Sequence, residues 1–241
     1  MRKIIAIATI AIIGSISAYA AGLKKYTINV KDFSELRVVE SLKVNYVCSE
    51  DSAGFATFIA EPEIASVLMF TNNNERLDLQ IATDGINYDH LPTITVYSRF
   101  LTKVENSGDS LVRVHSLKPT PKFTARLIGN GHLAVHGIDA TNVDANLDTG
   151  NGTILLKGKT TKASLKAVGT GSIQADELAA DEVKCTLLGT GYIGCAPENV
   201  LNIKGVNGKV YYSGNPQTIK NRSWGVKLIR LDENSAETEE K

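Results

Sequence analysis

A Gly-x-Gly triplet recurs about every 20 residues through the second half of the chain. Self-similarity at a fixed period is typical of a solenoid, in which each repeat packs only on its neighbours. Glycine suits the corners of such a repeat because it adopts positive φ and lets two backbones approach closely. The triplets are Gly129-Asn130-Gly131, Gly150-Asn151-Gly152, Gly169-Thr170-Gly171 and Gly189-Thr190-Gly191, followed by a degenerate Val206-Asn207-Gly208.

The segments before the triplets alternate apolar and polar residues, as half-buried strands do. A second short alternating strand follows each triplet. Repeats with the same direction and the same inward positions stack in parallel, about 4.8 Å apart. The sequence therefore predicts an all-β fold, a single-stranded parallel β-helix with coils of about 20 residues. The inward sets are Phe123, Ala125, Leu127; Val143, Ala145, Leu147; Ala163, Leu165, Ala167; and Val183, Cys185, Leu187.

The chain begins with the pattern of a secretory signal peptide. Arg2 and Lys3 precede an apolar run at residues 4–13, and Ala18-Tyr19-Ala20 is a small-x-small cleavage site. The run is too short to span a bilayer, and no later run reaches the ~18 apolar residues that a membrane helix needs. We expect cleavage after Ala20 and an exported protein without a transmembrane segment, either periplasmic or at the cell surface.

The repeat pattern also predicts the organisation of the remaining chain. At one coil per 20 residues, the roughly 220 residues after the signal peptide would give roughly 10 coils and a rod of about 50 Å. The expected divisions are a signal peptide at 1–20, one β-helix domain at 21–231, and an acidic disordered tail at 232–241. Within the domain we expect degenerate coils to about residue 122, regular coils at 123–216 and a C-terminal cap at 217–231.

Charge and cysteine content limit the possible partners and cross-links. The 26 Lys and Arg residues balance 26 Asp and Glu residues, so no basic face indicates a nucleic-acid partner. The odd cysteine count excludes a fully paired disulfide scaffold. Cys185 and Cys195 occupy inward positions on either side of one corner. A disulfide between them is possible, but two buried thiols are favoured, and Cys48 has no evident partner.

Two further motifs accompany the Gly-x-Gly turns: an opening Phe33-x-x-Leu36-x-Val38 strand and a closing Val210-Tyr211-Tyr212-Ser213-Gly214-Asn215-Pro216 segment. Together they resemble the family described as putative auto-transporter adhesin, head GIN domain, which contains exported proteins common in Bacteroidetes. The resemblance covers most of the chain after residue 20. It implies a right-handed β-helix on an exported protein and brings no catalytic residues.

Four outward-facing charges are candidates for a binding surface. Asp144 and Asp148 share one strand face, and Lys166 and Lys184 lie on the neighbouring coils. One interpretation is ordinary surface charge that stabilises the sheet through cross-strand pairs. The other is a contact surface, or a polysaccharide-cleaving site with converging carboxylates. Because no long loop is present to wall a cleft, we predict that the chain is not an enzyme.

The middle residues of the triplets form a second candidate surface. Stacked coils would place them one above another as a polar ladder of side-chain hydrogen bonds. They are Asn130, Asn151, Thr170, Thr190 and Asn207.

Histidines and aromatic residues provide weaker candidates. His132 and His136 would lie about 13 Å apart on a strand, too far to share a zinc ion, so we expect surface histidines and no metal or other cofactor. Tyr211, Tyr212 and Trp224 could stack on sugar rings, but covering the last coil is the favoured interpretation.

The sequence thus predicts an exported, non-enzymatic β-helix module of a binding, adhesion or cell-envelope type. Its partner could be a glycan, an envelope component or another protein. A polysaccharide-active or carbohydrate-recognising protein is the alternative. A structural role in end-to-end stacking is a third interpretation. The sequence leaves the ligand and the oligomeric state open.

Overall fold

A computed structural model describes residues 22–82 and 91–231, so the predicted signal peptide and acidic tail lie outside the described residues. These residues form one 17-stranded sheet and one short helix, α1 (Pro62–Val67). None of their helices is long and apolar enough to span a bilayer. The strands are β1 (Lys24–Asn29), β2 (Glu35–Val39), β3 (Val44–Cys48), β4 (Phe55–Ala60), β5 (Leu68–Asn73), β6 (Arg76–Ile81), β7 (Ile94–Ser98), β8 (Lys103–Ser107), β9 (Leu111–Val114), β10 (Thr120–Ile128), β11 (His132–Asp148), β12 (Thr153–Gly169), β13 (Ser172–Gly189), β14 (Tyr192–Val206), β15 (Lys209–Tyr212), β16 (Thr218–Trp224) and β17 (Lys227–Arg230).

From β10 onward the strands pair in parallel. Each turn of the solenoid, which we call a row, stacks on the turn before it. Phe123 of β10 lies opposite Val143, which lies opposite Ala163 and then Val183. The inward columns predicted from the sequence are therefore real, and every member is buried. The predicted all-β parallel β-helix is confirmed as a β-solenoid of about 6 turns.

Each regular row has three straight segments, as β11 and the corner after it illustrate. Residues 132–135 form the first, and a register shift between Val135 and Ile138 marks the first bend. Residues 138–140 form the second, and two consecutive exposed residues at 141–142 interrupt the alternation before the long third segment. The outward side chains of the long segments form one flat surface, which we call the lateral face. It comprises residues 35–39, 103–107, 120–128, 142–148, 162–168, 182–188, 200–206 and 218–224.

The first half of the chain departs from successive coils. Strand β2 lies between β6 and β8, and β3 lies between β7 and β9, so the rows here do not follow chain order. Strands β1, β4 and β5 join the sheet in antiparallel pairs. The expectation of roughly 10 successive coils is therefore wrong, because hairpin strands and α1 use residues that would otherwise have formed coils.

Helix α1 covers the end of the solenoid formed by the first half of the chain. It connects β4 to β5, and its Ile64 and Ala65 pack against the hydrophobic core. Solenoid ends need such a cover because the last row otherwise exposes its apolar inward side.

Residues 217–231, where a C-terminal cap is expected, lie at the opposite end, and Val226 and Leu228 among them pack against the core. Strands β16 and β17 pair in parallel with β14 and β15, and so add a further row. The inward positions of β16 are Ile219, Asn221 and Ser223, and the Asn221 side chain accepts a hydrogen bond from the Ser223 backbone N–H at 3.0 Å. Trp224 is 75% exposed on the lateral face, so its expected packing over the end of the core is wrong.

Glycine meets two requirements at the corners. Positive φ is one, and Gly129 shows it alone, with φ +99° and open space where a Cβ would lie. Close approach to the preceding row is the other, and it applies to both glycines of a corner: a Cβ would sit 2.1 Å from the Gly169 carbonyl oxygen at Gly189, and 2.1 Å from the Gly171 carbonyl oxygen at Gly191. In the same corner the backbone N–H groups of Thr190 and Gly191 both donate to the Gly169 carbonyl, at 3.0 and 3.1 Å. Row spacing at this corner therefore requires glycine at both positions.

Alanine substitution at Gly129 and Gly191 should separate backbone strain from close packing between rows. Gly191→Ala forces two rows apart and should cost about 3 kcal/mol or more of the free energy of unfolding. Gly129→Ala introduces only backbone strain and should cost about 1 to 2 kcal/mol. Urea unfolding monitored by circular dichroism measures both, and equal losses would contradict the packing role of Gly191.

Candidate binding face

The parallel register turns the lateral face into columns of stacked side chains, each column about 7 Å from the next because alternate residues share a face. We name three columns by their distance from the Gly-x-Gly corner. The corner column is Ile128, Asp148, Val168, Leu188, Val206 and Trp224; the middle column is Arg37, Glu105, Arg126, Asn146, Lys166, Thr186, Lys204 and Arg222; the distal column is Glu35, Lys103, Thr124, Asp144, Ser164, Lys184, Asn202 and Lys220.

The half of the lateral face nearer the N-terminus carries a connected ion-pair network. Glu105, whose side chain is 9% exposed, lies between Arg37 at 3.1 Å and Arg126 at 3.3 Å. Arg126 continues the chain of contacts through its Nε to Asp148 Oδ2 at 2.7 Å. That hydrogen bond is the main cause of a raised pKa for Arg126, which burial partly opposes. Charges in this half are thus neutralised by their neighbours.

Three of the four charges predicted as binding residues belong to this network or lie beside it. Asp148 also approaches Lys166, with 4.0 Å between Oδ1 and Nζ, and Asp144 pairs with Lys122 at 2.7 Å. Asp144 and Asp148 are four residues apart on one strand, so their Cα atoms are about 13 Å apart. Paired glycosidase carboxylates lie roughly 5 to 9.5 Å apart. The two aspartates do not form such a pair.

Lys184, the fourth predicted residue, lies in a different environment near the C-terminus. It shares the lateral face with exposed Lys204, Lys220 and Arg222, and none of these four cations forms an ion pair with any residue that the structure describes.

The corner column is apolar beside these cations. Its outward side chains there are Leu188 at 46%, Val206 at 43% and Trp224 at 75% exposure. A cationic surface with an apolar border therefore occupies the last rows of the lateral face.

Sequence reasoning missed Lys220 and Arg222 because it ended the regular coils at residue 216. It missed Lys204 because Leu201 follows Val183 by 18 residues, which breaks the 20-residue step. The period-two alternation of Lys220, Arg222 and Trp224 was the available signal. Ile219 follows Leu201 by 18 residues instead of about 20, so the last row does not fit the period of the repeat.

The corner residues form hydrogen bonds between rows, and these bonds join backbone groups or one side chain to backbone. Asn130 Oδ1 accepts a hydrogen bond from the Asn151 backbone N–H at 2.9 Å, and Thr170 Oγ1 donates to the Gly150 carbonyl at 3.3 Å. Thr190 and Asn207 join neighbouring rows through backbone N–H groups, at 3.0 Å each. The side chains of Asn130 and Thr170 therefore bond to the backbone of a neighbouring row, which gives these two a structural role.

His132 and His136 belong to no candidate metal cluster among the residues that the structure describes. His132 is exposed and His136 half-buried, and no group of three or more His, Cys, Asp or Glu suited to a metal ion occurs in the described part of the chain. Desolvation lowers the pKa of His136, and the positive charges of Lys157, Arg113 and His115 add to the effect.

A shallow depression of about 360 Å³ lies at the bend near residues 119–121. Asp139 in its wall is paired with Lys159 at 3.3 Å. The residues that line the depression do not bring two catalytic groups together.

The cysteines are free thiols in this structure. Cys185 and Cys195 are buried with their Sγ atoms 4.0 Å apart, and Cys48 is half-buried with its Sγ donating to the Arg99 carbonyl at 3.4 Å. The hydrogen bond to Cys195, followed by burial, raises the pKa of Cys185. Both factors oppose formation of the reactive thiolate.

Stability should fall on mild acidification because of His136. The fold lowers the pKa of this histidine, so its contribution is fully present above about pH 6.5 and is lost as the pH falls below that value. Thermal unfolding of wild type and His136→Gln at about pH 7.5 and about pH 5.5 measures the effect. His136→Gln should flatten the decline, and His132→Gln, at an exposed position, should leave it intact. An unchanged decline in His136→Gln would contradict this assignment.

Thiol labelling should distinguish the cysteines. With native protein, a soluble thiol reagent should modify Cys48 first and leave Cys185 and Cys195 unmodified until unfolding. In Cys48→Ser no native labelling should remain, as measured by intact mass. Rapid native labelling of that variant would show that the core opens more readily than its burial indicates.

Comparisons with known proteins agree with this architecture. A putative adhesin from Bacteroides fragilis is 21% identical, with a TM-score of 0.79 over 88% of this chain and 97% of that one. A putative lipid binding protein from Parabacteroides distasonis is 19% identical, with a TM-score of 0.69 over 88% and 98% of the two chains. A putative adhesin from Parabacteroides merdae is 20% identical, with a TM-score of 0.66 over 88% and 97%.

These structural likenesses establish the fold. No functionally curated protein matches the chain in sequence. The model of one family, described as putative auto-transporter adhesin, head GIN domain, matches residues 32–216, and the chain therefore belongs to that family.

Proposed function

We propose that this chain is an exported, non-catalytic binding module that attaches to an extended partner in the cell envelope through its lateral face. The observation that carries the proposal is the division of charge along that face. Glu105, Arg126 and Asp148 neutralise one another, whereas Lys184 and Lys204 have no ionic partner among the described residues. A surface that leaves its charge uncompensated in one region is suited to contact with another molecule.

The shape of the surface favours an extended partner. Small-molecule sites are concave and enclose most of their ligand. The lateral face instead repeats flat rows about 4.8 Å apart, with no long loop between the regular corners at residues 129–131 and 189–191. Affinity would come from many contacts along the solenoid.

Family membership and the names of the neighbours agree with binding. The family description and the Bacteroides fragilis protein use the word adhesin, and the Parabacteroides distasonis protein is described as lipid binding. The signal peptide predicted at residues 1–20 supports export to the compartment where an adhesin acts.

The competing function, cleavage of a polysaccharide, lacks a site on this face. Asp144 and Asp148 are about 13 Å apart along one strand, and each is engaged by a cation. Hydrolysis would require two carboxyl groups flanking one glycosidic bond. The arrangement therefore favours retention of a glycan over its cleavage.

An array of polysaccharides and envelope glycans tests both functions at once. Protein lacking residues 1–20 should be retained by at least one ligand class without releasing new chain ends, with or without calcium. Release of chain ends that Asp144→Asn abolishes would replace the binding proposal with an enzymatic one. A second array of envelope proteins serves as the companion measurement, and silence on both arrays would contradict the proposal.

A further inference from the structure

We propose that the last rows of the lateral face bind a linear acidic polysaccharide that lies along the solenoid axis. This inference rests on the proposed binding function and names its ligand class and contact residues. The contact surface, which we call the cationic stripe, consists of Lys166, Lys184, Lys204, Lys220 and Arg222.

The cations alternate between two columns as the rows advance. Lys166 and Lys204 lie two rows apart in the middle column, and Lys184 and Lys220 lie two rows apart in the distal column. Two rows correspond to about 10 Å, and the two columns are about 7 Å apart. The stripe is therefore narrow across the strands and extended along the axis. A single polymer chain with regularly spaced negative charges has this shape.

The charge of the stripe favours an anionic partner. Lys204 and Arg222 are directly opposite each other on neighbouring strands, where like charges destabilise a sheet. Asp148, 4.0 Å from Lys166, marks the end of the stripe nearer the N-terminus. Beyond it, none of the described acidic residues forms an ion pair with Lys184, Lys204, Lys220 or Arg222. Carboxylate or sulfate groups of a bound chain would remove the repulsion.

Polar and apolar side chains beside the cations suit sugar rings. Thr186 and Asn202 occupy the stripe positions between lysines and offer hydrogen bonds to hydroxyl groups. Leu188, Val206 and Trp224 line the corner side of the stripe. Trp224, 75% exposed, presents an aromatic surface against which an apolar ring face can pack.

The same features fit a membrane surface less well. Interfacial binding requires apolar side chains that enter the acyl boundary by about 5 to 10 Å. Leu188 and Val206 stand within a flat sheet and are only 46% and 43% exposed. They can line a bound chain, and Trp224 at 75% exposure is the single border side chain that stands well clear of the sheet.

A pair of matched double variants tests the stripe. Lys204→Ala/Lys220→Ala removes two stripe cations, and Lys209→Ala/Lys227→Ala removes two exposed cations from the same rows on another face. Binding to polygalacturonate, heparin and neutral dextran is measured on a biosensor with protein lacking residues 1–20. We expect the stripe variant to lose about tenfold or more in affinity for the acidic polymers, and the control variant less than about twofold.

Additional measurements separate sugar contact from charge alone. Trp224→Ala should weaken binding while keeping the salt dependence of wild type, and the stripe variant should show a weaker salt dependence. Thermal unfolding verifies that each variant folds. Carboxylated and sulfated polymers distinguish the two anion sources. Binding to both or to either one supports the stripe.

Four results would overturn the inference. Equal losses of affinity in the two double variants would show that the polymers respond to the overall charge of the protein. Binding to phosphatidylglycerol vesicles without binding to acidic polysaccharides would assign the face to lipid. If wild type and the stripe variant bind a neutral glycan or a protein equally well, the proposed function stands and the stripe is refuted. Absence of all ligand binding would refute both.

Discussion

The close approach of successive rows at the Gly-x-Gly corners is the constraint on which the rest of the solenoid depends. Backbone N–H groups of one corner donate to carbonyls of the previous corner, as Gly191 donates to Gly169 at 3.1 Å. A side chain at the second glycine would collide with that backbone. Because the corners hold the rows at strand spacing, the inward columns pack into a continuous core and the bends need no long loops.

The same spacing determines how charge is distributed over the outside. Residues about 20 apart in sequence become neighbours about 4.8 Å apart, so the charge of each row acts directly on the next. In one half of the lateral face this brings Glu105 between two arginines. In the other half it stacks Lys204 on Arg222. The fold permits both arrangements, since neither involves an inward position.

The regular rows were predictable because their period is local and repeated. Phe123, Val143 and Ala163 each mark one step of the repeat. The first half was not predictable in this way, because β2 lies between strands that come much later in the chain. Periodicity detects strands but carries no information about the order in which separated rows stack. The candidate site was found only in part: Lys184 belonged to a regular coil, whereas Lys220 lay after a shortened step.

The division between inward and outward positions explains how such a face could acquire a ligand. An inward substitution changes a core side chain that is packed on all sides, so it leaves a cavity or overpacks the core and lowers stability. An exposed outward residue such as Lys220 has no such neighbours, and its replacement changes mainly the local charge. Stacked like charges nevertheless weaken the sheet slightly. A ligand that neutralises these charges therefore stabilises the last rows as it binds. Ile219 in the last row is 41% exposed, so this end of the solenoid is less well packed than the core. Ligand binding and the order of this end are therefore coupled.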